Sequence, residues 1–132
     1  MASSLRRACL ASFLLVGTAA ADGPPTFFED TLPSRALGPL MQAYGTLADE
    51  GAALDPKTRE LIALAVAAQI PCDYCVEAHG GNARDLGASE EELREAVAVA
   101  GFVRMWSTAL HGAAYDLEAF VAEHERMRAA SR

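Results

Sequence analysis

The sequence predicts an all-α fold, because apolar residues recur at helical spacing and nowhere alternate as they do along a strand. Hydrophobic residues fill 52% of the 132 positions, which is enough for a buried core, and the length suits one domain. We therefore expect a bundle of about five to six helices. The formal net charge of −7 argues against binding to nucleic acid, which needs a basic surface.

The first 21 residues have the pattern of a secretory signal peptide. Arg6 and Arg7 precede a short apolar run that contains no acid and ends in three alanines. We therefore expect cleavage before Asp22, export to the periplasm or another extracytoplasmic compartment, and a mature domain over 22–132. The run is too short to span a bilayer, so no stable membrane insertion is expected after cleavage. If the start codon is misassigned, the protein is cytoplasmic.

The mature chain begins with a proline-containing stretch over 22–32 that is typical of a linker. A first helix is predicted from Ser34 to Ala48. We expect an interruption near Pro39, because proline lacks the N–H that the interior of a helix uses.

The second helix has clear start and stop signals. Asp55 can cap it, Pro56 suits its first position, and Pro71 prevents continuation beyond Gln69. Its residues are apolar on nearly every side, so we expect this helix to be central.

A third helix is predicted from Cys72 to Leu86, with Gly87 as its C-terminal signal. Only a short turn separates the second and third helices, so we expect them to pack as an antiparallel hairpin.

The remaining sequence predicts two further helices. Ser89 and Glu92 form a capping box that opens a fourth helix, and a break is expected near Gly101. A last helix is then predicted from about Phe102 to Met127. Its expected packing residues are Trp106, Leu110, Leu117 and Phe120, and for Trp106 both the core and a subunit contact stay open.

The chemistry of the chain is concentrated in a C-x-x-C motif at the start of the third helix. Cys72 and Cys75 lie on one face of the first turn, where their sulfurs can reach each other and form a disulfide. The free N–H groups and the positive end of the helix stabilise a thiolate, which is the reactive form of cysteine. His79 follows one turn later on the same face and can exchange a proton with a thiol.

Glu60 is the fourth member of this predicted site. It lies about ten residues before the turn of the hairpin, and His79 lies about nine after it, so the two come out nearly level at ~1.5 Å per residue. A carboxylate at the edge of an apolar helix needs a partner, and His79 is the nearest candidate. We therefore predict a relay in which Glu60 orients His79 and His79 activates a cysteine.

The stretch from Glu60 to Gly87 resembles the alkylhydroperoxidase D-like branch of the carboxymuconolactone decarboxylase superfamily. The glutamate, the C-x-x-C and the histidine four residues later all match, and the resemblance extends from about Phe28 to Phe120. It implies an all-helical fold, a homo-oligomer (trimer or hexamer) and thiol peroxidase activity without a bound cofactor. The decarboxylase branch typically lacks the cysteine pair, which disfavours that activity.

The resemblance makes Glu60, Cys72, Cys75 and His79 the catalytic set. The best-known members carry a second histidine between the cysteines, where this chain has Tyr74. Tyr74 is therefore kept as an accessory candidate.

On this hypothesis a small peroxide oxidises Cys75, Cys72 resolves the product as a disulfide, and an external dithiol or thioredoxin-like reductant restores the pair. Cys75 is favoured as the peroxidatic residue because His79 lies one turn away, whereas the position at the helix end alone would favour Cys72, so both assignments stay open. His111 is a second accessory candidate, although a packing role is the simpler interpretation.

Three alternatives stay open at this point. The pair could exchange thiols and disulfides without a peroxide substrate, or form a purely structural disulfide. Cysteine, histidine and glutamate could also ligate zinc, although no metal is expected, since the close spacing on one helix makes a tetrahedral site awkward.

Overall fold

The computed structural model describes residues 24–49 and 51–132. Over these residues the chain forms six helices and no strand, which confirms the predicted all-α class. The chain divides into two compact units at Leu47, and each is described by itself below. The proposed signal peptide and its cleavage before Asp22 lie outside the described residues, and the single domain over 22–132 also stays a prediction.

The first unit contains helices α1 (Thr26–Thr31) and α2 (Ser34–Gly45), which contact each other. The prediction of a linker was therefore wrong for the residues of α1. The expected interruption at Pro39 was also wrong, because α2 continues through it. A proline removes only one helical hydrogen bond, and the remaining turns keep theirs. The helix ends at Gly45, three residues before the predicted end.

The second unit contains helices α3 (Pro56–Gln69), α4 (Asp73–Asp85), α5 (Glu90–Gly112) and α6 (Leu117–Ala130). α3 packs against both α4 and α5, so the prediction of a central second helix is confirmed. α4 also touches α5 directly, while α3 and α4 form the predicted hairpin.

The helix ends follow the signals in the sequence. The Asp55 side chain accepts the N–H of Thr58 at the start of α3. Ser89 and Glu92 form the complete capping box that opens α5. After α4 the backbone turns at Gly87 with φ of +84°, a conformation that glycine adopts without steric cost.

The predicted break at Gly101 was wrong. α5 continues through it to Gly112, because one glycine in a long helix costs only about 1 kcal/mol relative to alanine. The chain turns instead at Ala114, whose φ is +47°. Asp116 then caps α6 by accepting the N–H of Ala119, so the predicted helix over Phe102–Met127 is two elements.

The core of the second unit lies between α3, α4 and the first half of α5. Its buried apolar residues are Leu64, Ala67, Ala83, Leu93 and Ala100. Of the four residues predicted to pack, Leu110 is half-buried, while Trp106, Leu117 and Phe120 are 59%, 72% and 40% exposed and lie outside the core of the described chain. α6, which carries Leu117 and Phe120, packs on no other helix of the second unit. A subunit contact stays a prediction for Trp106. None of the helices in the described ranges is long and apolar enough to cross a membrane.

Candidate active site

The two cysteines stand at the first turn of α4. They form a disulfide with a Cα–Cα distance of 5.2 Å, which confirms that their sulfurs reach each other. Cys72 is also the N-terminal cap of the helix, and its Sγ accepts the backbone N–H of Cys75 at 3.2 Å. Both residues are half-buried. The pair therefore lies at the positive end of a helix and is still accessible to a small reactant.

The turn that carries the pair is held from both sides. The N–H of Cys72 donates to the carbonyl of Ala67 on α3 at 3.2 Å. From α5, Arg104 donates to the side chain of Gln69 at 2.7 Å and to its backbone carbonyl at 2.8 Å. These contacts fix the end of α3, and with it the start of α4, against the rest of the unit.

Glu60 and His79 meet across the α3–α4 hairpin as predicted. Nδ1 of His79 lies 2.7 Å from Oε2 of Glu60, and the two side chains are 22% and 12% exposed, respectively. Among the described residues, Glu60 is the one charged residue that is buried. Burying an unpaired carboxylate destabilises the folded state. The contact with His79 therefore explains why an acid can occupy a buried position of α3.

The contact also determines what the imidazole can do. If the Glu60 carboxylate is ionised, it only accepts hydrogen bonds, and Nδ1 of His79 is then the donor in this contact. The Nε2 nitrogen of a neutral ring then carries the free lone pair, and it makes no hydrogen bond to any described residue. Nε2 is thus available to take up or return a proton.

Asn82 is a further member of the cluster that the sequence analysis missed. Its Nδ2 donates to Oε2 of Glu60 at 3.3 Å, so two donors from α4 converge on one oxygen of α3. The positions 72, 75, 79 and 82 are spaced three, four and three residues apart, which keeps them on one helix face. Extending the motif by one more step of this spacing would have found Asn82.

The accessory candidates lie apart from these contacts. Tyr74 is 90% exposed and makes no hydrogen bond to a described residue. His111 is exposed in the last turn of α5. The two acids that flank the pair, Asp73 and Glu77, are also exposed. Over residues 24–49 and 51–132, no group of three or more His, Cys, Asp and Glu side chains is arranged to hold a metal ion.

Two ion pairs, one half-buried (Lys57–Glu92) and one exposed (Arg84–Glu90), connect the helices that frame the site. Lys57 on α3 donates to Glu92 on α5 at 2.7 Å, and Arg84 at the end of α4 donates to Glu90 at 2.6 Å. The hydrogen bond from Lys57, with the backbone N–H of Ser89, lowers the pKa of Glu92 from 4.5 to about 2. The hydrogen bond from Arg84 lowers the pKa of Glu90. Both carboxylates are therefore ionised at neutral pH.

Comparison with curated proteins finds similarity over part of the chain. The chain is 44% identical over 59 residues to "uncharacterized protein 4 in cox locus" of Paracoccus denitrificans, covering 45% of this chain and 53% of that protein. It is 57% identical over 42 residues to an uncharacterized protein of Haemophilus influenzae, covering 32% of this chain and 37% of that one. The chain thus spans about half the length, or less, of these relatives.

Comparison with solved structures agrees with the helical arrangement. A crystal structure of a protein from Methanobacterium thermoautotrophicum, a structural genomics target, matches with a TM-score of 0.59 and 28% identity. The match covers 67% of this chain and 96% of that chain. The model of one family, the carboxymuconolactone decarboxylase family, matches residues 36–118, which is more than half of the sequence. The chain therefore belongs to the carboxymuconolactone decarboxylase family.

Proposed function

We propose that this protein is a thiol-dependent peroxidase that reduces alkyl hydroperoxides with the Cys72–Cys75 pair. The observation that carries the proposal is the contact between Glu60 and His79 on the helix face that also bears both cysteines. A purely structural disulfide does not require a histidine with a free Nε2 or a buried carboxylate beside its other nitrogen. A thiol that is deprotonated in each catalytic cycle requires a proton acceptor, which the imidazole can provide, and a group that stabilises the resulting positive charge, which the carboxylate can provide.

The first step is the oxidation of one thiolate. Nε2 of His79 takes the proton of the Cys75 thiol, and the thiolate attacks the terminal oxygen of the hydroperoxide. The S–O bond forms as the O–O bond breaks, and the alkoxide leaves with the proton from His79. The products are the Cys75 sulfenic acid and one alcohol. Glu60 stabilises the positive charge on His79 between the two proton transfers.

The second step forms the disulfide. The Cys72 thiolate attacks the sulfur of the sulfenic acid and expels hydroxide, which takes up a proton to give water. The N–H of Cys75 points at the Cys72 sulfur and stabilises this thiolate. An external dithiol, such as a thioredoxin-like protein, then returns the two electrons by exchange and is itself oxidised to a disulfide.

A thiol count with one equivalent of cumene hydroperoxide tests this proposal. The reduced full chain carries three thiols, Cys9 included. We expect the count to fall by two per chain, with one cumyl alcohol formed and a Cys72–Cys75 bond found by peptide mass analysis. An unchanged thiol count after incubation with the hydroperoxide would overturn the proposal.

Two single variants assign the roles of the cysteines. With Cys72→Ser, Cys75 should still react with the hydroperoxide and accumulate as sulfenic acid, because no partner resolves it. With Cys75→Ser, stopped-flow mixing should show little reaction. Sulfenic acid at the wild-type rate in the Cys75→Ser protein would instead make Cys72 the peroxidatic residue.

A thiol–disulfide oxidoreductase without a peroxide substrate is the second candidate. It is favoured by the position of Cys72 as the helix cap, because a sulfur that accepts an N–H is a good leaving group when the disulfide is reduced. Rapid exchange with a small disulfide substrate, with no consumption of hydroperoxide, would support this candidate over the peroxidase.

A zinc module is the alternative from another class. Both sulfurs are engaged in the disulfide, and the described residues offer no three-ligand cluster, so the geometry lends it no support. Elemental analysis of protein purified in a reduced state without chelator tests it directly. One zinc per chain would favour the module.

We further propose that the protein is exported and works as a homo-oligomer. Export rests on the pattern of the first 21 residues, and an N-terminus at Asp22 in secreted material would bear it out. Self-association rests on the exposed apolar residues of α5, such as Val103, and on the 14-residue helix α6, none of whose residues is buried. Helices of this length are marginal in water without a packing partner, and a second copy of the chain can provide one.

A further inference from the structure

Asn82 is placed where it can control the orientation of the Glu60 carboxylate. Its Nδ2 lies 3.3 Å from Oε2 of Glu60, the same oxygen that meets Nδ1 of His79 at 2.7 Å. A carboxylate oxygen only accepts hydrogen bonds, so the side chain must present its amide nitrogen and not its oxygen. Asn82 is uncharged over the whole working pH range. It therefore donates to Glu60 whether His79 is neutral or protonated.

His79 and Asn82 lie one turn apart on α4, and both contact the same carboxylate oxygen of Glu60. A carboxylate in the wall of a hairpin can rotate about its last bond and turn both of its oxygens away from the imidazole. In this structure both contacts fall on one oxygen, and the other accepts no hydrogen bond from a described residue. The second donor therefore favours the carboxylate torsion in which an oxygen faces Nδ1 of His79.

We propose that Asn82 is a positioning residue that fixes Glu60 against Nδ1 of His79, so that the neutral ring keeps its free lone pair on Nε2. The importance of this tautomer for thiol activation rests on the function proposed above. The prediction of the tautomer is independent of that function, because it follows from the contacts of Glu60 alone. Asn82 touches neither sulfur in the described contacts, so it acts through Glu60 and His79.

The tautomer of His79 is measurable by long-range ¹H–¹⁵N spectra of protein labelled at histidine. The chain has three histidines, and the exposed His111 and His124 serve as internal references. At a pH where the rings are neutral, we expect His79 to carry its proton on Nδ1. His111 and His124 should show the ordinary preference of free imidazole for Nε2–H. A wild-type His79 protonated on Nε2 would overturn the proposal without any variant.

Two variants then test the role of the amide. Asn82→Ala removes the donor, and Asn82→Asp keeps the size but offers only acceptors. In both we expect His79 to shift towards the mixture shown by His111, and hydroperoxide reduction to slow by about tenfold. Glu77→Gln, an exposed change on the same helix, is the matched control and should alter neither. An unchanged His79 spectrum in both Asn82 variants would refute the positioning role.

The two proposals can fail separately. If the tautomer shifts in the Asn82 variants but no form of the protein consumes hydroperoxide, the positioning role stands and the peroxidase function fails. If hydroperoxide is consumed equally by wild type and variants while the tautomer is unchanged, the peroxidase function stands and the role of Asn82 fails.

Discussion

Arg104 of α5 holds Gln69, the last residue of α3, through two hydrogen bonds of 2.7 and 2.8 Å. One goes to the side-chain oxygen and the other to a backbone carbonyl at the helix end. Cys72 begins the next helix three residues later. The planar guanidinium holds two donors in a fixed fork that fits both acceptors, whereas the single ammonium nitrogen of lysine has no such fork. The arrangement therefore joins α5 to the turn that carries the cysteine pair.

We predict that Arg104→Lys lowers the free energy of unfolding by about 1 kcal/mol, since one hydrogen bond of this kind is lost. Urea unfolding of oxidised protein measures this. Arg94→Lys is the matched control, because its ion pair with Glu91 is 67% and 68% exposed and lies within one helix. Equal unfolding free energies for the Arg104 variant and wild type would show that the contact does not hold the turn.

Replacing Glu60 by glutamine should slow the reaction of the reduced protein with cumene hydroperoxide by about 10- to 100-fold. The amide keeps the shape of the side chain but removes the charge that faces His79 at 2.7 Å. Stopped-flow rates under single-turnover conditions provide the measurement. Glu77→Gln, on α4 but exposed, should react at the wild-type rate. A wild-type rate in Glu60→Gln would remove the carboxylate from the mechanism.

The Lys57–Glu92 pair should make stability fall in acid. The pKa of Glu92 is lowered from 4.5 to about 2, so the unfolded chain binds this proton more tightly than the folded one. The contribution of Glu92 is therefore fully present above pH 4.5 and is lost as the pH falls towards 2. In Glu92→Gln the capping box can persist, because glutamine also accepts the N–H of Ser89, and only the charge is removed.

Thermal unfolding of wild type and Glu92→Gln between pH 2 and 7 tests this linkage. The two curves should lie furthest apart near neutral pH and converge near pH 2. Glu91→Gln, in the exposed pair with Arg94, should show a smaller difference from wild type at neutral pH. A gap between wild type and Glu92→Gln that stays constant down to pH 2 would contradict the predicted dependence.

Replacing Gly81 by alanine and replacing Gly87 by alanine should change the stability of the fold in opposite directions. A Cβ at Gly81, inside α4, would meet no atom within 4 Å, so Gly81→Ala should stabilise the fold by about 0.5–1 kcal/mol through helix propensity. Gly87 has φ of +84°, so Gly87→Ala should destabilise it by about 1–2 kcal/mol. Denaturant unfolding of both variants decides this, and effects of the same sign would contradict it.

Self-association should depend on the exposed apolar residues of α5. Val103 is 64% exposed, and we predict that wild type sediments as an oligomer while Val103→Asp shifts it towards monomer. Thr108→Asp places the same charge on the same helix at a position that is already polar, and it should leave the sedimentation coefficient unchanged. Monomeric wild type at micromolar concentration would contradict the proposed assembly.

The sequence alone allowed the hairpin and its Glu60–His79 contact to be predicted, because Asp55, Pro56 and Pro71 mark the helix ends and the register follows by counting. The course of α5 could not be predicted. The helix penalty of Gly101 is smaller than the stability of the surrounding turns. The turn that follows the helix end at Gly112 uses a positive φ at Ala114, which alanine rarely adopts.

The sequence left open whether Trp106 packs in the core or in a subunit contact. Apolar periodicity indicates that a helix face is covered, but it does not distinguish the core of one chain from a surface that another chain covers. The 59% exposure of Trp106 excludes the core of the described chain, and its coverage by a second copy stays a prediction.

The sulfur of Cys72, which caps α4, is one of the two sulfurs whose oxidation state changes in the proposed cycle. When the disulfide is opened, the N–H of Cys75 faces an anion in place of a neutral sulfur, and the hydrogen bond strengthens. The amide resonance of Cys75 would then move with each turnover. The position of this one backbone signal would then report the fraction of the protein that is in the reduced, dithiol state.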